Sequence, residues 1–199
     1  EEPGRLTIRV LEQEQLLNNP GSIDFKMEIP INTNITFSTN MGNLYAGNVI
    51  GDVYLNSSFG DIEVRDMQAG ELKAITNSGK VTLRGINVPD DSITVNTQFG
   101  DVNIFQANAS FLSASSSNGA MNLENVIVSG DIELTDNFGS IGYRKGEAGN
   151  VNVKSSNGKL TLNGITIENK LVAHTDFGDI EIGETVAAEY DLDTKNGKV

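Results

Sequence analysis

Glycine recurs at a near-constant interval along most of this 199-residue chain, and that rhythm restricts the fold more than any other feature. Gly42, Gly60, Gly79, Gly100, Gly119, Gly139, Gly158, Gly178 and Gly197 are separated by 18, 19, 21, 19, 20, 19, 20 and 19 residues. Apolar residues keep register with them. Seven and five positions before successive glycines lie Ile35 and Phe37, Val53 and Leu55, Leu72 and Ala74, Ile93 and Val95, and the series runs on to Tyr190 and Leu192. Two and four positions after come Leu44 and Ala46, Ile62 and Val64, Val81 and Leu83, continuing to Ile180 and Ile182. A spacing of two sets each pair on one face of a strand. Each unit therefore reads as strand, glycine turn, strand, loop. A unit this short cannot bury its own apolar face, but stacked units share one core. The expected fold is all-β, a parallel β-solenoid or β-helix, with the turn glycines supplying positive φ.

Three residues before the glycines stand Thr39, Ser57, Thr76, Thr97, Ser116, Ser155, Thr175 and Thr194, with Asp136 as the exception. Their parity points them inward at the corner, where a hydroxyl can bond turn backbone. No base accompanies them, so a row of nucleophiles is not indicated.

The units also alternate. Phe59, Phe99, Phe138 and Phe177 precede every second glycine, and Ser78, Asn118, Asn157 and Asn196 precede the others. After the glycines, Asp61, Asp101, Ser140 and Asp179 alternate with Lys80, Ala120, Lys159 and Lys198. This makes a higher repeat of 39 to 40 residues. Two coil lengths are compatible with it. A coil of one unit sets Asp against Lys on neighbouring rungs. A coil of two units stacks Phe on Phe and Asp on Asp, about 5 Å apart. Like-on-like stacking favours the longer coil.

Residues 1–34 depart from the template. Leu6, Ile8 and Val10 alternate, as do Ile23, Phe25, Met27 and Ile29, which predicts two strands capping the first coil. Such a cap would cover an exposed sheet edge. The domain reading is thus 1–34 as capping strands and 35–199 as one continuous solenoid.

Composition narrows the function. Fourteen Lys and Arg against 27 Asp and Glu give a net charge of −13, which repels nucleic acid and anionic lipid. With no cysteine, neither disulfides nor thiolate metal sites can form. No apolar run is long enough for a spanning helix. The chain starts at Glu1 and stops inside a motif at Lys198-Val199, so we read it as part of a longer precursor that carried a signal peptide or anchor.

The segments SSFGDIEV, TQFGDVNI and TDFGDIEI, alternating with TNSGKVTL, SSNGAMNL and SSNGKLTL, resemble a family of bacterial β-strand-repeat proteins of unknown function. These carry an adhesin label and are also called toastrack domains. The lead-in KMEIPINTNITFSTNMGNLYAG is similar to that family's usual start, so the resemblance covers roughly residues 20–199. It implies a β-solenoid outside a bacterial membrane, linked with adhesion or envelope-stress systems, and it transfers no catalytic residue.

Candidate chemistry is sparse. His174, the sole histidine, falls on the outward parity and is thin support for a zinc site. Under the longer coil, Asp61 and Asp101 would sit close enough for a cation or a retaining carboxylate pair, though Asp after a turn glycine is also a common structural choice. The glycine-rich nonapeptide of calcium-binding β-rolls is absent. An ice-binding face would need outward Thr rows, whereas Glu63, Thr82, Asn103, Asn122, Gly142, Thr161 and Glu181 are mixed.

The favoured expectation is a non-enzymatic scaffold at the cell envelope or surface, without a cofactor or metal. Its partner would be a surface protein or a glycan, held on a stripe of Phe59, Phe99, Phe138 and Phe177 with Asp61, Asp101 and Asp179. Corner packing is nonetheless the role the residue pattern favours for the phenylalanines, with the binding stripe as the other. Two further readings are a sensory extracytoplasmic domain of an envelope-stress system and a carbohydrate-active β-helix enzyme.

Overall fold

The computed structural model describes residues 28–199. They form a parallel β-solenoid without a helix. Its strands are β1 (Ile35–Met41), β2 (Leu44–Ile50), β3 (Val53–Phe59), β4 (Ile62–Gln68), β5 (Leu72–Ser78) and β6 (Val81–Asn96). There follow β7 (Val102–Ser115), β8 (Met121–Asp136), β9 (Ile141–Ser155), β10 (Leu160–Ile167), β11 (Lys170–Thr175), β12 (Ile180–Gly183) and β13 (Glu189–Thr194). The long strands β6 to β9 bend around a corner and serve two ladders each.

Every strand pair is parallel, and partners differ by one glycine interval. Ile35 pairs with Val53, Val53 with Leu72, and Leu72 with Ile93. On the next side Leu44 pairs with Ile62, Ile62 with Val81, and Val81 with Val102. One coil is therefore one unit of about 20 residues, and the expected two-unit coil is corrected. The reason lies at the corner after glycine. Asp61 Oδ1 accepts the amide of Lys80 at 2.8 Å, Asp101 Oδ1 that of Ala120 at 2.9 Å, and Asp179 Oδ1 that of Lys198 at 2.9 Å. An acceptor on one rung serves the amide of the next, so the next rung needs only its N–H there. The alternation in sequence is a relation between neighbouring rungs.

Val53, Leu72 and Ile93 are buried, as are nearly all the apolar pairs flanking the glycines. The coil also has a third inward side that the glycine template does not show. Val49, Met67, Ile86, Ala107, Val126 and Ile165 line it, and Val88, Ala109, Val128, Ala148 and Ile167 extend it. A left-handed residue precedes this side in each coil: Asn48, Asp66, Gly85, Gln106, Asn125, Lys145, Gly164 and Glu184, all with φ between 48° and 66°. That conformation turns the chain and moves the inward residue by one position, so Ala46 is followed inward by Val49. At Gly146 the side is filled from elsewhere. Buried Tyr143 places its ring where a Cβ on Gly146 would lie, and its hydroxyl donates to the Val126 carbonyl at 2.8 Å.

The stacked glycines answer a steric demand. Of the nine, only Gly42 has positive φ, at 131°, so the expectation of positive φ at these turns is corrected. A Cβ on Gly100 or Gly119 would lie 1.9 Å from the carbonyl oxygen of the glycine one rung below, and at Gly158 only 1.7 Å. No side chain fits that approach.

The expected capping pair falls mainly on residues 1–27, outside the described residues. Residues 28–34 carry no strand, so no strand forms at Ile29. They still border the first coil: Ile31 accepts the Ile50 amide at 2.8 Å, and Asn34 Oδ1 accepts that of Asp52 at 2.9 Å.

Replacing Gly119 by Ala should destabilise the solenoid by about 3 kcal/mol or more, because overpacking here strikes backbone that cannot move aside. Gly142→Ala, whose Cβ would meet nothing nearer than 3.7 Å, should stay within about 0.5 kcal/mol of the parent. Urea unfolding of the two variants tests this, and equal stabilities would refute the steric account.

Candidate functional site

Seven of the inward hydroxyls are bonded into the glycine stack, on either side of Asp136. Ser57, Thr76, Thr97, Ser116, Ser155, Thr175 and Thr194 each donate to the glycine carbonyl of the preceding rung, at 2.9 to 3.4 Å. Ser116 and Ser155 also accept the amide of their own turn glycine, at 3.0 and 2.9 Å. The structural role expected for this row is what the geometry shows. At the first rung Thr39 instead donates to the Met41 carbonyl at 3.0 Å.

Asp136 takes the same place in its rung. Its Oδ1 accepts the amides of Phe138 and Gly139, both at 3.0 Å, as a ladder hydroxyl would. Its Oδ2 is buried and has no hydrogen-bond partner. A Cβ on Gly139 would lie 2.0 Å from the Gly119 carbonyl oxygen and 2.5 Å from Asp136 Oδ2, so two acceptors face the same corner. Burial raises the Asp136 pKa above the usual carboxylate value, against the lowering effect of the turn amides. A proton on Oδ2 would supply the donor that the other rungs draw from a hydroxyl.

The four phenylalanines point outward. Phe59, Phe99, Phe138 and Phe177 are 57% to 64% exposed, and none joins the core. The favoured expectation that they are corner packing groups is corrected, since all four are exposed. Backbone bonds hold the column in line: Phe99 N–H donates to Asn77, Phe138 N–H to Ser117 and Phe177 N–H to Ser156, at 2.9 to 3.1 Å. With one coil per unit, successive rings are two rungs apart, about 10 Å.

The same geometry separates Asp61 from Asp101 by two rungs, so the close pair conceived for a two-unit coil does not form. One oxygen of each carboxylate already holds a neighbouring amide. Among the described residues, no three His, Cys, Asp or Glu come together in a group that could hold a metal ion.

His174 is outward, as its parity predicts, but not alone. Its Nε2 lies 3.3 Å from Asp176 and its Nδ1 2.9 Å from Asp193. Lys195 bonds Asp176 at 2.6 Å and, with a smaller part from His174, holds that carboxyl below its ordinary pKa. These groups lie at the surface, where such pairs contribute little to stability.

Sequence reasoning missed a shallow hollow of about 230 Å³ beside the phenylalanine column. Asn56, Ser58, Asn77, Asn96 and Gln98 line it, between the rungs of Phe59 and Phe99. A signal for it exists in the sequence. Two positions before the first seven glycines stand Asn40, Ser58, Asn77, Gln98, Ser117, Asn137 and Ser156, an uncharged run in a strongly acidic chain that ends at the charged pair Asp176 and Lys195. A larger hollow, about 390 Å³, lies over the last rungs near Leu162, Ile180, Ile182 and Val199.

The sequence model of Toastrack DUF4097 matches residues 14–144 and 123–199. The chain belongs to the Toastrack DUF4097 family. No curated protein and no solved structure matches it. The family and the solenoid class expected from the sequence both hold. The family is one of unknown function, so any activity must be argued from this chain's own surface.

Asp136 is the one rung of the stack between Ser57 and Thr194 without a hydroxyl donor. Asp136→Ser should stabilise the domain by about 1 kcal/mol near neutral pH by restoring a donor to the Gly119 carbonyl. The sign follows from linkage. A carboxyl whose folded pKa is raised contributes fully below its ordinary value of 3.8, and that contribution is lost as pH rises through the folded pKa. The advantage of the Ser variant should therefore shrink on acidification toward that ordinary value. Urea unfolding across the range tests it, and a pH-independent difference would rule out a proton held at Asp136.

Proposed function

We propose that this toastrack domain is a non-enzymatic binding scaffold of the cell envelope or cell surface, presenting its phenylalanine column to a glycan or a protein. One observation carries the reading: four large apolar rings stand exposed in a straight, evenly spaced row on a chain of net charge −13. Large exposed apolar groups repeated along one column, rather than scattered singly, support an interaction surface. The scaffold suits the task, since a solenoid offers an extended, rigid face that loses little freedom on binding.

An envelope location rests on the family resemblance and on the acidic, cysteine-free composition. No helix among the described residues is long and apolar enough to cross a membrane, so attachment to a bilayer would depend on other segments or partners. The sensory reading gains no specific observation. Neither does the enzymatic one, since the carboxylates nearest the phenylalanine column are engaged with backbone amides.

An array of glycans and surface proteins, probed with the wild-type domain and with Phe59, Phe99, Phe138 and Phe177 together changed to Ala, tests the proposal. The rings lie outside the core, so each substitution should alter stability by no more than about 0.5 kcal/mol. Binding by the wild type and its loss in the folded variant are expected. Equal binding by both proteins, or none by either, would remove the case for this column as a binding surface.

A further inference from the structure

We propose that the phenylalanine column and the hollow beside it form a binding site for a neutral, extended β-1,4-linked glycan, laid along the solenoid axis from Phe59 toward Phe138, short of the charged groups Asp176 and Lys195 beside Phe177. This inference rests on the binding-surface reading above and specifies its ligand.

Three features select this chemistry. The first is period. Two rungs span about 10 Å, the same order as the two-sugar repeat of an extended β-1,4-linked glycan, in which alternate rings turn the same face to one side. Each Phe ring can then meet the apolar C–H face of every second sugar, while the intervening sugar lies over Ser78 or Asn118. A helically coiled α-1,4 chain has no such straight repeat.

The second is the lining. The hollow between the Phe59 and Phe99 rungs presents the amides of Asn56, Asn77, Asn96 and Gln98 and the hydroxyl of Ser58, with no charged group among its lining residues. Amides and hydroxyls match the paired donor and acceptor character of sugar hydroxyls. An aromatic platform beside a few polar groups is the usual composition of a small-molecule site. Anionic glycans are disfavoured by the protein's own charge of −13.

The third is the state of the backbone. A peptide would bind an exposed sheet edge by strand addition. Along this column the main-chain groups are already committed: the amides of Phe99, Phe138, Asn157 and Phe177 all bond the preceding rung. What remains on offer is rings and side-chain amides. The rungs also hold these groups in place before any ligand arrives, so little ordering opposes binding.

The test is titration calorimetry of the wild-type domain with β-1,4-linked glucose and N-acetylglucosamine oligomers from two to six sugars. An α-1,4-linked glucose hexamer and a polygalacturonate oligomer serve as controls, and sedimentation measurements run alongside. A six-sugar chain covers three rings, so at least one β-1,4 hexamer should bind ten or more times tighter than its dimer. Phe99→Ala and Asn77→Ala should each weaken hexamer binding by roughly tenfold, with thermal unfolding unchanged. The inference is overturned if neither β-1,4 series gains with length, or if the α-linked or anionic hexamer binds as well. Self-association abolished by the same phenylalanine substitutions would overturn it too, by showing that a second copy is the occupant. If β-1,4 chains do not bind but the array still gives a Phe-dependent signal from another ligand, this inference falls and the broader proposal stands. Failure of both assays removes both.

Discussion

The approach of one glycine to the carbonyl of the glycine below is the contact on which the whole stack depends. Parallel rungs keep their ladder bonds only at a spacing of about 4.8 Å. At the corner the backbone comes closer than any Cβ permits, with a hypothetical Cβ at Gly60, Gly79, Gly100 and Gly119 falling 1.9 to 2.1 Å from the preceding carbonyl. The same carbonyls need a donor, because they turn away from the regular ladder, and the inward Ser and Thr hydroxyls provide it. Close approach and local bonding thus lock each rung to the last. Only then do Val53, Leu72, Ile93 and their successors fall into a continuous core.

What the sequence exposes and what it hides follow from this corner. The glycines, the flanking apolar pairs and the hydroxyl row are legible because each is a single residue type demanded at one place in every coil. The third side is not. Its turn is made by a left-handed residue, and that conformation is occupied by Asn48, Asp66, Gln106, Lys145 and Glu184 as well as by Gly85 and Gly164. Non-glycine residues there cost about 1 kcal/mol or more each, which the buried residues beyond the turn offset. A position defined by backbone conformation alone leaves no residue signature. The turn also breaks the period of two, so Val49, Met67 and Val126 escape the alternation that reveals their neighbours.

The two-unit coil that like-on-like stacking predicts is absent for a related reason. Like-on-like stacking assumes that each rung satisfies its polar groups in the same way. Here Asp61, Asp101 and Asp179 supply acceptors upward, and the residues that receive them contribute only backbone N–H. Complementary roles on neighbouring rungs produce a doubled sequence period without a doubled coil. Asp136 shows the converse case. It fits the ladder as an acceptor for its own turn amides, but it offers a donor only when protonated, so one rung in the stack carries a titratable link where its neighbours carry fixed ones.

A solenoid converts sequence period into distance, and this bears directly on the phenylalanines. Fold requirements account for the glycine, the hydroxyl three residues earlier and the Asp after it, since each makes a contact that the stack uses. They do not account for the rings. The alternate rungs carry Ser78, Asn118 and Asn157 at the same place and stack as well. Leaving four aromatic side chains mostly in water forgoes the stabilisation their burial would give, on the order of 2 kcal/mol each. A feature that the fold neither needs nor gains from, repeated at fixed spacing along the coil, is what the proposed binding role would explain, through a partner that shares the spacing. On that proposal, the uncharged amides and hydroxyls beside Phe59 and Phe99 would suit a partner that is polar without being ionic.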